Sequence, residues 1–376
     1  MIIKGGTVLN DSFEFIKADV EIKDDKIVNI GHVSGNDVID ATDCYVVPGF
    51  VDTHMHGGMG HEFMYCEEGA YEPMAIRQAE MGTTAIVPAI SAAPKDKLKE
   101  AIRYMMECAK GIGDKEAMLY GIHLEGPFFS EEFKGAHAPE NIRNSDINEF
   151  KEYCDMAGEF LRIMTMAPEL PGSEEVIRYA KEKGVTISIG HTSATANDVK
   201  NAIEWGATQG THLFNAMSPL KHREPGTVGG LLYTDAVCEI ICDFFHVNPD
   251  VVKLVYKIKG ADKITMVTDA VFGAGLPDGE YVRPDGVTII VKNGENRLTS
   301  GTIAGGSSFM IDGIKNLVSI DIPLNEAVKM ATKNPAEAAK IYDKVGSITK
   351  GKIADIVILD KDLNIKKVIL RGKEIN

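Results

Sequence analysis

The chain has 376 residues, with 40 Lys+Arg against 55 Asp+Glu and a net charge of −15. This acidic balance excludes nucleic acid and anionic membrane surfaces as main partners, because both reward an excess of basic residues. With 44% hydrophobic residues, the chain can bury a sizeable core without disulfides, and no run approaches the ~20 apolar residues that span a bilayer.

Taken in chain order, residues 1–46 are short β-type runs, Ile2–Ile3, Val20–Ile22, Ile27–Ile30 and Val38–Ile39, separated by Gly and Asp turn signals. Met1–Asn10 reads as a strand with turn residues rather than a secretion signal, so a cytoplasmic location is expected. From residue 47 the grammar changes to apolar strands alternating with amphipathic helices, the pattern of βα units and a parallel sheet. The expected strands are Tyr45–Val51, Thr84–Ala89, Met118–Leu124, Leu161–Met166, Thr186–Ile189, Gly210–Leu213, Glu239–Asp243 and Lys263–Thr268. Between them, Pro94–Lys110 carries a stripe of Leu98, Ile102, Met105 and Ala109. Glu174–Lys183 is expected to start after Ser173 as its cap and to stop at Gly184, and Asn197–Trp205 to stop at Gly206. Eight such units predict a (β/α)8 barrel over 47–344. Residues 345–376 return to strands, Ile353–Leu359 and Lys366–Leu370, and are expected to join 1–46 in one small discontinuous β-sandwich domain.

The six cysteines are scattered with no C-x-x-C pair and read as reduced thiols, Cys238 and Cys242 lying in an apolar run suited to a core strand. The ionisable residues are distributed less randomly. His54 and His56 follow the first strand, Glu125 the third, His191 the fifth, His212 the sixth and Asp269 the eighth. That is the face on which barrel active sites assemble. A single histidine there reads as a hydrogen-bonded core residue; six such residues together read as a metal site. His54-x-His56 puts both rings on one side of an extended segment, and Glu125 has two oxygens with which to bridge two ions. Imidazole and carboxylate without thiolate suit one or two ions of Zn, Fe, Co or Mn. Such an ion lowers the pKa of bound water from about 15.7 toward 7, and Asp269 is placed to move its proton.

These segments resemble a known family. Pro48-Gly49-Phe50-Val51-Asp52-Thr53-His54-Met55-His56-Gly57 is similar to the amidohydrolase-superfamily signature. His123-Leu124-Glu125-Gly126-Pro127-Phe128, Gly190-His191-Thr192, Thr211-His212-Leu213-Phe214-Asn215-Ala216-Met217, Arg223-Glu224-Pro225-Gly226 and Val267-Thr268-Asp269-Ala270 resemble the N-acetylglucosamine-6-phosphate deacetylases within it. The resemblance implies Glu125, His191 and His212 on a principal ion, with His54, His56 and Glu125 on a second. It implies Asp269 as general base and then acid. It also implies substrate contacts from Ala136 and His137, from Asn215 and Ala216, from His246, and from an Ile303-Ala304-Gly305 loop closing over the sugar. Arg223 would bind the phosphate, reaching in from the neighbouring subunit of a homodimer. By residue type alone, Arg223 beside Pro225 and Gly226 is either an ordinary loop arginine or one suited to phosphate, and His137 and His246 are single histidines that read as non-catalytic hydrogen-bonding residues. His32, His61 and His222 read as surface or loop residues.

The chain departs from the family at three places. Asp243-Phe244-Phe245-His246 stands where Asp-Gly-x-His is usual, His222 precedes Arg223 where Gly is common, and Val271-Phe272-Gly273-Ala274 follows Asp269. Phe244 is expected to add bulk beside the sugar, which brings in N-acetylgalactosamine 6-phosphate as the alternative substrate. A cyclic-amidase or aminoacylase relative is the alternative within hydrolases. A non-catalytic sugar-phosphate sensor is the alternative outside them, and Asp269 argues against it.

Overall fold

Eight parallel strands, each followed by a helix, carry the middle of the chain in this computed structural model, which describes residues 1–375. The strands are β1 (Phe50–Asp52), β2 (Thr83–Ile86, resuming at Ala89–Ser91), β3 (Met118–Leu119, resuming at Ile122–Glu125) and β4 (Leu161–Met166). They continue with β5 (Thr186–Ile189), β6 (Gln209–Gly210), β7 (Val237–Ile241) and β8 (Ile264–Val267). Neighbours in sequence are neighbours in the sheet throughout. The helices are α1 (Tyr71–Glu80), α2 (Lys95–Cys108), α3 (Ile147–Ala157), α4 (Ser173–Lys183), α5 (Ala196–Trp205), α6 (Gly226–Tyr233), α7 (Pro249–Lys259) and α8 (Met310–Ser319). Strands such as β5 and β8 are buried on both faces, as a parallel sheet between its own interior and a helical layer requires. Asp52 makes the join between β1 and β8. It accepts from Thr268 Oγ1 at 2.5 Å and from the His54 amide at 3.1 Å, while the Asp269 amide donates to the His54 carbonyl at 2.8 Å.

The observed β4 and β5 have the expected bounds, and several other elements differ for identifiable reasons. The expected first strand, Tyr45–Val51, divides at Gly49. Its first part, Tyr45–Pro48, pairs with Ile356–Leu359 in another sheet, and its second part is β1. A Cβ on Gly49 would lie 2.2 Å from Thr84 Oγ1, so only glycine lets the chain cross there. Strand β6 ends at Gly210 rather than Leu213, because His212 turns to a φ of 30°. Ser173 does not cap α4 but is its first residue. The cap is Gly172, and the buried Ser173 hydroxyl donates to the Ala167 carbonyl at 3.0 Å. Helix α5 starts one residue earlier than expected, at Ala196, behind a Thr195–Asp198 capping box.

The two chain ends form a four-stranded and a six-stranded sheet. Ile3, Val20, Ile22 and Ile27 of the first sheet share one apolar cluster with Val8, Val46, Ile356, Ile358 and Ile369 of the second. A further antiparallel sheet was not expected from the sequence. It inserts after β8 as Gly279–Val282, Thr288–Lys292, Glu295–Leu298 and Ile303–Gly305. Ile303-Ala304-Gly305 is therefore an edge strand, not a loop.

Candidate metal centre and active site

The ligand-type side chains reach one point because the backbone kinks where the strands end. His191, His212 and Asp269 follow β5, β6 and β8 with φ of 50°, 30° and 50°, the left-handed region that costs a non-glycine residue about 1–2 kcal/mol. Strain of this kind persists where the surroundings over-determine it. Here the Asp269 amide and carbonyl are both bonded, to the His54 carbonyl at 2.8 Å and by the Gly306 amide at 2.7 Å. Before His191, Gly190 admits Thr211 so closely that a Cβ would stand 2.8 Å from the threonine Cβ.

Glu125 is the centre of the arrangement. Its Oε1 lies 3.1 Å from His191 Nε2, 3.2 Å from His212 Nε2 and 3.3 Å from His54 Nε2; its Oε2 lies 3.3 Å from both His56 Nε2 and His137 Nε2. Asp269 Oδ1 stands 3.2 Å from His56 Nε2 and 3.6 Å from His54 Nε2. Three of the outer nitrogens have partners that fix the rings, whereas the buried His212 Nδ1 has none. His54 Nδ1 bonds Glu239 at 3.1 Å, His56 Nδ1 bonds Ser91 Oγ at 3.0 Å, and His191 Nδ1 bonds the Phe133 carbonyl at 3.0 Å. Phe129 also stacks on the His191 ring, with centroids 4.3 Å apart.

A divalent cation fits these donors. With the proton on Nδ1 of His54 and His191, their Nε2 lone pairs point inward. The buried His54 Nε2 has no hydrogen-bond partner, and His191 Nε2 lies 3.1 Å from His212 Nε2, a crowding of nitrogens that a shared cation relieves. Among the described residues three groups fall within ligand reach, and two of them share Glu125: His54/His56/Glu125 and Glu125/His191/His212. Burial holds His191 down to about 4 and keeps it a neutral ligand. Burial also opposes charge on His56, yet Asp269 and Glu125 push it up to about 9. Glu125 and Asp269 in turn sit well below the usual carboxylate range despite their burial, held there by the histidines. Two buried carboxylates thus hold positive charge between them, which protons supply without a metal and which a metal displaces.

The centre opens into a cavity of about 870 Å³ lined by His56, Glu125, His191, His212 and Asp269. Of the expected substrate residues, Ala136, His137, Asn215, Ala216, His246, Ile303, Ala304 and Gly305 line it too. His246 is held through Nδ1 by Asp243 Oδ2 at 2.7 Å; burial opposes its charge, and Asp243 keeps it above its ordinary value. Arg223 is the exception. It is exposed and lines a separate surface pocket with Ser193, Asn197, Ser218 and Pro225. Phe244 also departs from expectation. It takes a φ of 66°, where the family's usual glycine is at ease, but its ring packs on the main core and is absent from the cavity lining. Its ring therefore adds no bulk to the cavity wall. Cys238 lies buried within β7 and Cys242 just beyond it, and both are free thiols. His61 pairs with Glu67 at 2.8 Å away from the cavity. Sequence reasoning gave no role to Glu239, Ser91 or Asp243; Glu239 left a signal as a carboxylate inside an apolar strand, and Asp243 as the first residue of the segment that ends at His246.

The Amidohydrolase family matches residues 45–375. An N-acetylglucosamine-6-phosphate deacetylase of Lysinibacillus sphaericus is 35% identical, over 99% of this chain and 97% of its own length.

The chain belongs to the amidohydrolase family.

Solved structures place it among that family's N-acetylglucosamine-6-phosphate deacetylases. The Pasteurella multocida enzyme superposes with a TM-score of 0.93 at 32% identity, over 100% of this chain and 99% of its own. A point mutant of the Mycobacterium smegmatis enzyme, in complex with N-acetyl-D-glucosamine-6-phosphate, superposes at 0.92 with 32% identity, over 100% and 98%. These amidohydrolase features make the chain a metal-dependent hydrolase, with its His/Glu triads as the candidate metal ligands.

Proposed function

We propose that this amidohydrolase deacetylates N-acetylglucosamine 6-phosphate, giving glucosamine 6-phosphate and acetate. The observation that carries the reading is the convergence of His54, His56, His191 and His212 on Glu125, with Asp269 3.2 Å from His56 at the floor of an open cavity. Glu125, His191 and His212 would hold the principal ion, and His54, His56 and Glu125 a second where two bind, drawn from Zn, Fe, Co or Mn. When bound, such an ion supplies Lewis acidity, polarising an amide carbonyl and making water acidic enough to ionise near neutral pH.

The residues do the rest. Asp269 takes a proton from the attacking water on its carboxylate as the new C–O bond forms at the acetyl carbon. It then delivers that proton to the sugar nitrogen as the C–N bond breaks, leaving a free amine and acetate. His137 sits against Glu125 and orients the acetamido group. Asn215, Ala216 and His246 hold the sugar phosphate, Ile303-Ala304-Gly305 covers the ring, and Arg223 reaches the phosphate of the neighbouring subunit in a homodimer. The terminal segments, 1–46 with 345–376 (Asn376 lies outside the described residues), form a small β-sandwich domain beside the 47–344 barrel, and the enzyme works in the cytoplasm.

The test is acetate release from N-acetylglucosamine 6-phosphate, its galacto epimer and the unphosphorylated sugar, at equal concentration. The proposal expects the gluco phosphate to turn over fastest. Faster turnover of the epimer would transfer the function to N-acetylgalactosamine 6-phosphate, and turnover of hydantoins or N-acyl amino acids alone would refute the reading.

A further inference from the structure

We propose that Glu239, which takes no part in the steps above, is a positioning residue of the metal centre, holding His54 in the tautomer and electron-rich state that the His54/His56/Glu125 ion requires. The inference rests on the reading of that triad as a metal site.

Glu239 is the lone charged residue of β7, between Cys238 and Ile240, and is completely buried. A buried carboxylate is costly unless several donors satisfy it. Three do so. Gln209 Nε2 donates to Oε1 at 2.6 Å, His54 Nδ1 donates to Oε2 at 3.1 Å, and the His212 amide donates to Oε2 at 3.4 Å. Gln209 is itself buried on β6, and its amide fixes the carboxylate plane so that Oε2 faces His54.

A carboxylate at Nδ1 has two effects on imidazole. It places the proton on Nδ1, leaving the Nε2 lone pair for the ion, and its charge raises the basicity of that lone pair. Among the described candidate metal ligands, the other rings with bonded outer nitrogens have neutral partners, Ser91 Oγ for His56 and the Phe133 carbonyl for His191. Of those ligand rings, His54 is the one backed by an anion. The arrangement is not a third ion site, although His54, His123 and Glu239 lie close enough for one. Both nitrogens of His123 are taken, by the Thr53 carbonyl at 3.0 Å and Thr165 Oγ1 at 2.7 Å. The contact between His54 and Glu239 is a hydrogen bond.

The experiment titrates cobalt(II) into metal-free full-length protein, following visible absorption and bound metal per chain, and melts the metal-free protein in parallel. His56→Asn marks the spectral change that belongs to the His54/His56/Glu125 ion. Glu239→Gln preserves shape and removes charge. It should weaken that ion by about 10–100-fold, leave the Glu125/His191/His212 ion within about threefold, and leave the metal-free melting unchanged. Gln209→Met, which frees the carboxylate to rotate, should weaken the same ion in the same direction by a smaller factor. Two ions held by Glu239→Gln as tightly as by wild type would overturn the role. Equal weakening of both ions, lowered metal-free melting, or failure of both variants to fold would assign Glu239 to the fold alone and equally overturn it. A wild type whose spectrum His56→Asn leaves unchanged would overturn the metal reading of that triad, and the proposal with it.

Discussion

Replacing Asp269 with Asn changes a single atom at the end of β8, so the chemistry of that atom can be separated from the fold. Asn tolerates the left-handed φ of 50° that Asp269 adopts, and the two backbone bonds that fix the residue, at 2.8 Å and 2.7 Å, do not involve the side chain. The carboxylate is mostly buried, with 16% of its side chain exposed. It lies outside the Glu125/His191/His212 triad, so that triad keeps its ion. What the variant loses is a group that can accept a proton 3.2 Å from His56 Nε2. General acid–base catalysis contributes about 10²–10⁴-fold, equivalent to about 3–5 kcal/mol of barrier at 1.36 kcal/mol per tenfold. Initial rates of acetate release should therefore show kcat reduced by that factor, KM changed by less than about threefold, and metal content unchanged. A variant with near-normal kcat would remove Asp269 from proton transfer. A variant that lost its metal or its fold would show that the side chain acts structurally.

Three further predictions concern the dimer, charge burial and the molecular field. Asp269→Asn and Arg223→Met should each be nearly inactive alone. Mixed in equal amounts with subunit exchange, they should regain activity in about a quarter of sites, because half the dimers are mixed and each has one intact site; no recovery would confine Arg223 to its own chain. Asp355 is buried, with its Oδ2 unpartnered and its carboxyl pushed up to about 6 by burial. It binds its proton more tightly folded than unfolded, so its contribution to stability is complete below pH ~4 and is lost as the pH rises through about 6. The loss is about 3 kcal/mol, and Asp355→Asn should flatten that part of the melting-temperature profile; an unchanged slope would refute the assignment. Because the chain carries −15 and the substrate is an anion, kcat/KM should rise modestly as salt is added at low ionic strength. A steep fall would show that local attraction dominates.

How much could be read in advance follows from which forces are local. Helices α2, α4 and α5 were legible because the apolar stripe of α2 and the terminal glycines of α4 and α5 are short-range signals. The metal candidates were legible because a parallel strand's end is marked by the end of its apolar run, and His54, Glu125, His191, His212 and Asp269 all stand there. The division of Tyr45–Val51 was not, since both halves are apolar and only the approach of Thr84 to Gly49 separates them. The left-handed turns at His191 and His212 are fixed by tertiary bonds and shortened β6 without any local cue. The sheet ending at Gly305 follows the eighth strand, where only a loop at Ile303-Ala304-Gly305 was expected, and the alternation at Thr288–Lys292 was not read as a strand. Arg223 carries the right chemistry for phosphate, but its position outside the cavity depends on how the chain is arranged in space, which residue type does not reveal.

The central claim is that the histidines and Glu125 hold the ion on which acetate release depends. Its most direct test is the rate of acetate release from N-acetylglucosamine 6-phosphate before chelation, after complete metal removal, and after return of one divalent ion at a time. The account predicts activity lost with the metal and restored by zinc, iron(II), cobalt or manganese in proportion to the metal rebound. Full turnover by protein shown to contain no metal would contradict it.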